Sequence, residues 1–289
     1  MSLPSLRSSP PASLWGFRGA MRSFSPSAAV LLALAVLHVD VMRCPDHCSA
    51  WALVAPTTTT TPLHPGLPEV TLKVAVDCQG GVDDLGTRDS FRFTSDESLD
   101  LVHRLRARVD AVAVGIGTVL RDDPSLTVRR IPIPAETRQP LRVVYDRRLR
   151  TPAECKLMVD AHRTTIVCNS EAASSTHLKF SGDKQALAVD GSIRDSLCEL
   201  HDQGVSHMMV EGGPSLAHAF LSEGLVDRVI LVQAPVRFHQ PVPSGLSPQF
   251  LAERDFSVFA TFLSGGDKVS YWLASGVPWV DEHNPLPWP

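Results

Sequence analysis

The chain has 289 residues, 44% hydrophobic and 20% charged, with 27 Lys and Arg against 31 Asp and Glu for a formal net charge of −4. Those proportions are globular and argue against a disordered chain. The acid-leaning balance, with aromatics at 6% and no basic stripe among them, argues against a nucleic-acid-binding surface.

Residues 1–66 are compositionally apart. They hold Arg7, Arg18, Arg22 and Arg43 against Asp40 and Asp46, no Lys or Glu, and many Ser and Pro. The apolar run Ala28–Leu37 spans about 15 Å as a helix, half of a hydrocarbon core of about 30 Å. That is short for a membrane span and right for the apolar centre of a signal peptide, with Arg18 and Arg22 as its lead-in. Cys48-Ser49-Ala50-Trp51-Ala52 then suits cleavage between Ala50 and Trp51. The arrangement resembles the bipartite leaders of algae with complex plastids, and ordinary secretion is the alternative. Five Thr followed by Pro62, Pro65, Gly66 and Pro68 have linker composition, so residues 1–68 are expected to be leader and linker, with no membrane segment in the mature protein. Cys44, His47 and Cys48 lack the further ligand that zinc needs, and the other four cysteines are irregularly spaced, so neither a metal nor a disulfide framework is expected.

From Val70 onward short apolar runs alternate with helical patterns. Val70–Val76 alternates apolar and polar positions and reads as a strand. Asp96–Arg108 places Leu99, Val102, His103 and Leu105 on one helical face behind a Ser95 or Thr94 cap. Strands are expected over 110–115, 141–145, 165–168, 186–189, 207–210 and 227–234, and helices over 192–202 and 215–223, the latter two stopped by Gly204 and Gly224. Residues 256–263 and 268–273 read as a hairpin around Gly265-Gly266. This order predicts an α/β fold, a mostly parallel sheet flanked by helices with an antiparallel edge, formed by one domain over 69–275 and followed by an irregular Pro-rich tail over 276–289.

Two segments carry more chemistry than a core needs. In the first, a strand ends at Gly115, Gly117 and Thr118 open the next turn, Asp122-Asp123-Pro124 makes a second turn, and Arg129 and Arg130 follow. Glycine there admits a ligand to the backbone, a helix start offers N–H groups to an anion, and neighbouring carboxylates and guanidiniums suit ribose hydroxyls and phosphate. In the second, a strand ends at Glu211 and runs through Gly212-Gly213-Pro214 into a helix, the geometry that cradles phosphate at the carboxyl end of a parallel strand. Spacing alone names no ligand for either, and a solvated turn accounts for each. Zincin, nucleophile-elbow, C-x-x-C and zinc-deaminase signatures are all missing, and His103, His162, His201 and His207 are expected on the surface or in packing.

Taken in order, the blocks Thr71–Ala75, His103–Arg129, Pro140–Asp146, Val210–Ala217, Gly224–Asp227 and Ala234-Pro235 resemble the reductase domain of the bifunctional deaminase/reductase of riboflavin biosynthesis and its stand-alone relatives. The resemblance implies a dihydrofolate-reductase-like fold, NADPH as cofactor, a homodimer, and reduction of the ribosyl group of a phosphorylated ribosylaminopyrimidine to ribityl. It places Lys73, Asp122 and Glu211 at the reacting sugar and Ser90, Arg106, Leu126 and Arg129 on the substrate, the two arginines suiting its phosphate. It gives the cofactor Ala75, Thr118, Asp122 and the run Gly213, Pro214, Ser215, Leu216, Ala217, His218 and Ala219. Four places depart from the family pattern: Asp77-Cys78-Gln79-Gly80, Arg92 at an aromatic site, Arg147, and Phe238-His239-Gln240-Pro241 where a Gly-Gly turn is usual. They leave two other readings open, a same-fold reductase of another pterin-like or pyrimidine substrate and a nucleotide-binding scaffold without activity.

Overall fold

The structure, a computed structural model, describes residues 64–87, 92–134, 137–176, 180 and 182–277. The expected leader with its apolar run and Cys44–Cys48, the substrate residue Ser90, and all but the first two residues of the expected tail lie outside the described residues. Packing begins slightly before the composition boundary at 68, because Leu67 is buried in the core and His64 Nε2 bonds to Gly224 O at 2.9 Å.

Strand β1 (Glu69–Val76) buries Val70, Leu72, Val74 and Val76 on one face, while Thr71, Lys73 and Ala75 point to the other by the two-residue period of a strand. Short β2 (Gly81–Asp84) follows, then α1 (Asp96–Arg106). Ser95 caps α1, its Oγ accepting from Ser98 N at 3.2 Å, and Asp96 and Glu97 in the first turn oppose the positive helix end. β3 (Ala111–Gly115) leads into α2 (Ile116–Asp122), which Asp123 closes in the left-handed region at φ 38°. The chain then forms β4 (Leu141–Tyr145), α3 (Lys156–Val159), β5 (Thr164–Cys168), α4 (Ser170–Ser175), β6 (Lys184–Ala188) and α5 (Ile193–Asp202). It returns as β7 (His207–Val210), α6 (Pro214–Ser222), β8 (Arg228–Gln233), β9 (Pro241–Pro243), α7 (Pro248–Ala252), β10 (Phe256–Ser264) and β11 (Asp267–Ala274).

Among the described residues, nine strands make one sheet in the order β10-β11-β8-β1-β7-β3-β4-β5-β6. From β8 to β6 every pairing is parallel, and β10 and β11 add the antiparallel edge. The expected mostly parallel sheet flanked by helices is therefore what the chain forms. Differences lie in short elements. β2 and β9 pair as a separate two-stranded sheet, and α3, α4 and α7 are single turns or little more. None has enough residues to show a period, and β9 carries prolines that argue against a strand in sequence.

Helices α5 and α6 cover one face of the sheet through Leu197, Leu200, Ala217, Phe220 and Leu221, and α1 and α2 cover the other through Leu101, Leu105, Ile116 and Val119. Each fully buried aliphatic side chain contributes on the order of 1.5–3 kcal/mol. Several charged residues, Arg142, Asp146 and Asp227 among them, serve this framework. Asp227 accepts from Val70 N at 2.7 Å, Asp146 accepts from Thr151 N and Oγ1, and the fully buried Arg142 forks onto Asp160 at 2.6 and 2.7 Å while donating to four carbonyls.

Candidate active site

In a parallel sheet ligands bind beyond the carboxyl ends of strands where the order reverses. Here the chain skips a place between β1 and β3, and β7 later fills it. The site residues gather around that point. Lys73 projects from β1 towards the α1 side of the sheet, and Glu211 immediately follows β7, its N–H bonded to Ala113 O of β3 at 2.8 Å. Arg106, at the last residue of α1, reaches Glu211 from above: Nε donates to Oε1 at 2.6 Å, Nη2 to Oε2 at 2.9 Å, and Nη1 to Thr127 O at 3.1 Å.

The electrostatics follow from burial. Burial pushes the Lys73 ammonium below the usual lysine range; Glu211 opposes this, Arg106 adds to it, and buried Asp267 at the start of β11 opposes it again. Lys73 has no hydrogen-bond partner among the described residues. Burial alone would raise Glu211, but the Arg106 guanidinium, its hydrogen bonds and Lys73 outweigh it and hold the carboxyl below its ordinary range. The result is a sequestered carboxylate with a nearby ammonium that gives up its proton more readily than a solvated lysine.

Leu126 and Arg129 sit beside this cluster in the segment after α2. Leu126 is buried and Arg129 exposed. Burial lowers the Arg129 guanidinium, and Arg106, Arg92 and Arg130 lower it further, so four guanidiniums share one neighbourhood. Arg106 is committed to Glu211, and Arg130 to Asp100 at 2.7 Å and Asp96 at 2.9 Å. Of the two arginines expected at an anion, Arg106 is bonded to Glu211 and Thr127 O, and Arg129 lies within the charge influence of Arg92. Asp122 stands exposed in the last turn of α2.

Of the positions expected to meet a dinucleotide, Gly213, Pro214, Ser215 and Leu216 form the start of α6. Gly213 is the N-cap and has no side-chain cap, so the first N–H groups of this nine-residue helix stay open. Thr118 of α2 closes the other side, its Oγ1 3.8 Å from where a Gly213 Cβ would stand. A Cβ on Gly212 would meet the Leu216 side chain at 3.0 Å, so packing of the helix's own first turn keeps this position bare. Ser215 is exposed, and Leu216 is half-buried against the core. Ala75 is likewise half-buried, against the opposite core cluster. Pro214 begins the helix and Ala219 is half-buried. Two of the run turn elsewhere: Ala217 is buried in the core, and His218 bonds Ser244 O at 3.1 Å and packs its ring on Phe250.

Sequence reasoning missed Asp267, which accepts from Ser95 N at 2.8 Å and Ser95 Oγ at 2.9 Å, because it lies in the terminal hairpin far from either motif. It also read His103 as surface or packing, and the ring is indeed buried, but Nδ1 accepts from Arg129 N at 3.1 Å. A concavity of about 490 Å³ opens at the amino ends of β3 to β6, lined by Arg138, Arg163, Gln185 and Gln203. It is at the wrong end of the strands for the chemistry above.

A family model described as RibD C-terminal domain matches residues 68–240, a span that holds the whole cluster except Asp267. The chain is 38% identical over 180 residues to the 2,5-diamino-6-ribosylamino-4(3H)-pyrimidinone 5′-phosphate reductase of Archaeoglobus fulgidus, covering 58% of this chain and 81% of that one. It is 35% identical over 169 residues to the riboflavin biosynthesis protein RibD of Aquifex aeolicus, covering 58% of this chain and 46% of that one. Among solved structures, RibD of Acinetobacter baumannii matches with a TM-score of 0.61 at 28% identity, covering 72% of this chain and 58% of that one. The chain thus spans about half the length of the RibD proteins it matches.

Proposed function

The chain belongs to the RibD C-terminal domain family, with its dihydrofolate-reductase-like fold, and from that premise we propose that it is an NADPH-dependent reductase of riboflavin biosynthesis. The proposed reaction converts the ribosyl group of a ribosylaminopyrimidine 5′-phosphate to ribityl. The observation that carries this reading is the convergence of Lys73 from the middle of β1 with Arg106 and Glu211 at the carboxyl end of β7, beside the Gly212-Gly213 start of α6.

NADPH, when bound, supplies the hydride that C1′ of the opened sugar accepts. The bare turn and open N–H groups of α6, with Thr118 opposite, fit its pyrophosphate. Lys73 Nζ donates a proton to the ribose ring oxygen as the C1′–O bond breaks and the glycosidic nitrogen forms a double bond to C1′. Its lowered proton affinity favours that transfer, and the ammonium is recharged from solvent. Glu211 stays ionised and holds the positive charge of the iminium and of Lys73 in register. Asp122 is assigned to ribose or cofactor hydroxyls, and Arg129 to the phosphate. The same reading carries a homodimer, checked by light scattering, and a plastid address for residues 1–68, checked by the position of a tagged chain in cells.

The test is loss of reduced-nicotinamide absorbance with the full chain, offered the aminated and the deaminated ribosylaminopyrimidine phosphates separately. Turnover of either supports the reading and tells which comes to this chain. NADPH binding without turnover of either moves the reading to another substrate, and no NADPH binding leaves a scaffold.

A further inference from the structure

The segment from Asp123 to Arg129 forms no helix or strand, yet it carries Leu126 and Arg129. Asp123 and Leu126 both have positive φ, 38° and 54°. Left-handed backbone costs a non-glycine residue on the order of 1–2 kcal/mol, so the surroundings must impose it. Buried backbone outside regular structure also needs partners for its N–H and C=O groups. Here side chains supply them. Arg106 Nη1 donates to Thr127 O at 3.1 Å. The Gln139 amide takes both groups of Val128, Oε1 accepting from N at 2.7 Å and Nε2 donating to O at 3.0 Å. His103 Nδ1 accepts from Arg129 N at 3.1 Å.

His103 and Arg106 stand three residues apart on one face of α1, so a single helix face holds Thr127 and Arg129 at the end of the segment while Gln139 holds Val128 between them. An accepting Nδ1 requires a neutral ring with its proton on Nε2. Burial, then Arg106 and Arg129 beside it, with Arg130 beyond, outweigh Glu211 and push the ring down to about 4, so the acceptor persists at neutral pH.

We propose that His103 and Gln139 are positioning residues that fix the backbone of Val128 and Arg129, and so aim the Arg129 guanidinium at the phosphate of the substrate. Neither touches substrate; both act through Arg129. The inference rests on the reading of the chain as a reductase of a phosphorylated sugar.

The experiment compares full-length wild type, His103→Leu and His103→Asn with the phosphorylated substrate, the same compound without its phosphate, and NADPH. Losing one hydrogen bond to a binding element is worth about tenfold in affinity. His103→Leu is therefore expected to raise KM for the phosphorylated substrate by about tenfold and leave the other two constants within about twofold. His103→Asn, whose Oδ1 can replace Nδ1 as acceptor, is expected to restore it. An unchanged KM, three constants rising together, or Asn no better than Leu overturns the proposal. Should His103→Leu fail to fold, Gln139→Leu is read in the same way, because its bonds lie outside α1, and absence of the split there also overturns it. Calorimetry with ribose 5-phosphate against ribose reads the same split without turnover. Wild type that binds both alike overturns the proposal, whereas wild type that discriminates but turns over nothing removes only the assigned reaction.

Discussion

Arg106 and Glu211, 105 residues apart in the chain, meet through two parallel hydrogen bonds of 2.6 and 2.9 Å with both side chains almost out of solvent. The fork takes both carboxylate oxygens. Lys73 faces a carboxylate that is already bonded, so it is held by charge and not by a hydrogen bond of its own.

Removing one partner of such a pair leaves the other buried and uncompensated. Glu211→Ala is expected to destabilise the fold by about 3–5 kcal/mol in urea unfolding. A double replacement of Arg106 and Glu211 by Met and Leu should recover most of that loss. A cost for Glu211→Ala under about 1 kcal/mol would mean that water reaches the pair, as at an exposed salt bridge.

Lys73 is the opposite case, a charge that burial disfavours and that no hydrogen bond repays. Lys73→Met keeps the volume and removes the charge, so the melting temperature is expected to stay level or rise while turnover falls by at least about 100-fold. A matched fall in stability and activity would make Lys73 a framework residue.

The buried histidines give a pH signature. His103 is pushed down to about 4 and His207 to about 3, first by burial and then by neighbouring guanidiniums, against an ordinary value of 6.5. The unfolded chain therefore takes up protons before the folded one, and stability is full above 6.5 and falls as pH drops towards 4. The slope is up to about 1.4 kcal/mol per pH unit for His103. Melting curves from pH 7 to 4 should show the decline, and the His103→Asn curve should be flatter. Parallel curves would place the ring in water.

Two departures from the family pattern prove to be one structure. Asp77 accepts from Gln79 N, Gly81 N and Phe238 N at 2.7–2.9 Å, and Asp84 accepts from His239 N and Gln240 N at 2.8 and 2.9 Å. β2 and β9 are thus tied by two carboxylates, and a Cβ on Gly81 would stand 2.8 Å from Pro241 Cβ and 3.1 Å from the Phe238 ring. Gly81→Ala is expected to cost about 1–3 kcal/mol by overpacking. No measurable cost in thermal unfolding would mean that the small sheet parts easily.

What the sequence disclosed depended on whether a signal was local. The β7–α6 turn was legible because an apolar run stops at Glu211-Gly212-Gly213-Pro214, and β4 because Leu141–Tyr145 is an uninterrupted buried strand. Lys73 and Glu211 came from resemblance, and the alternation of β1 already put Lys73 off the apolar face. The Arg106 fork was not legible, since nothing near either residue records a partner 105 positions away. His103 and Gln139 were missed for a related reason: both bond to main chain, which leaves no complementary residue type to notice. Asp77 was visible only as a mismatch, although Asp followed by two turn residues is a known way to fold backbone N–H groups onto a side chain.

Among the described strands β1 is synthesised first, and it ends up between β7 and β8, with Glu69 opposite His207, about 140 residues later. At about 5–20 residues per second the ribosome leaves β1 without either neighbour for on the order of 7–30 s. Through that interval Val70, Leu72, Val74 and Val76 form an apolar ribbon with open edges on both sides. The middle of the sheet closes only when β7 and β8 emerge, with the β10–β11 edge still to come, and a nascent chain stalled anywhere before β7 is one that chaperones must hold.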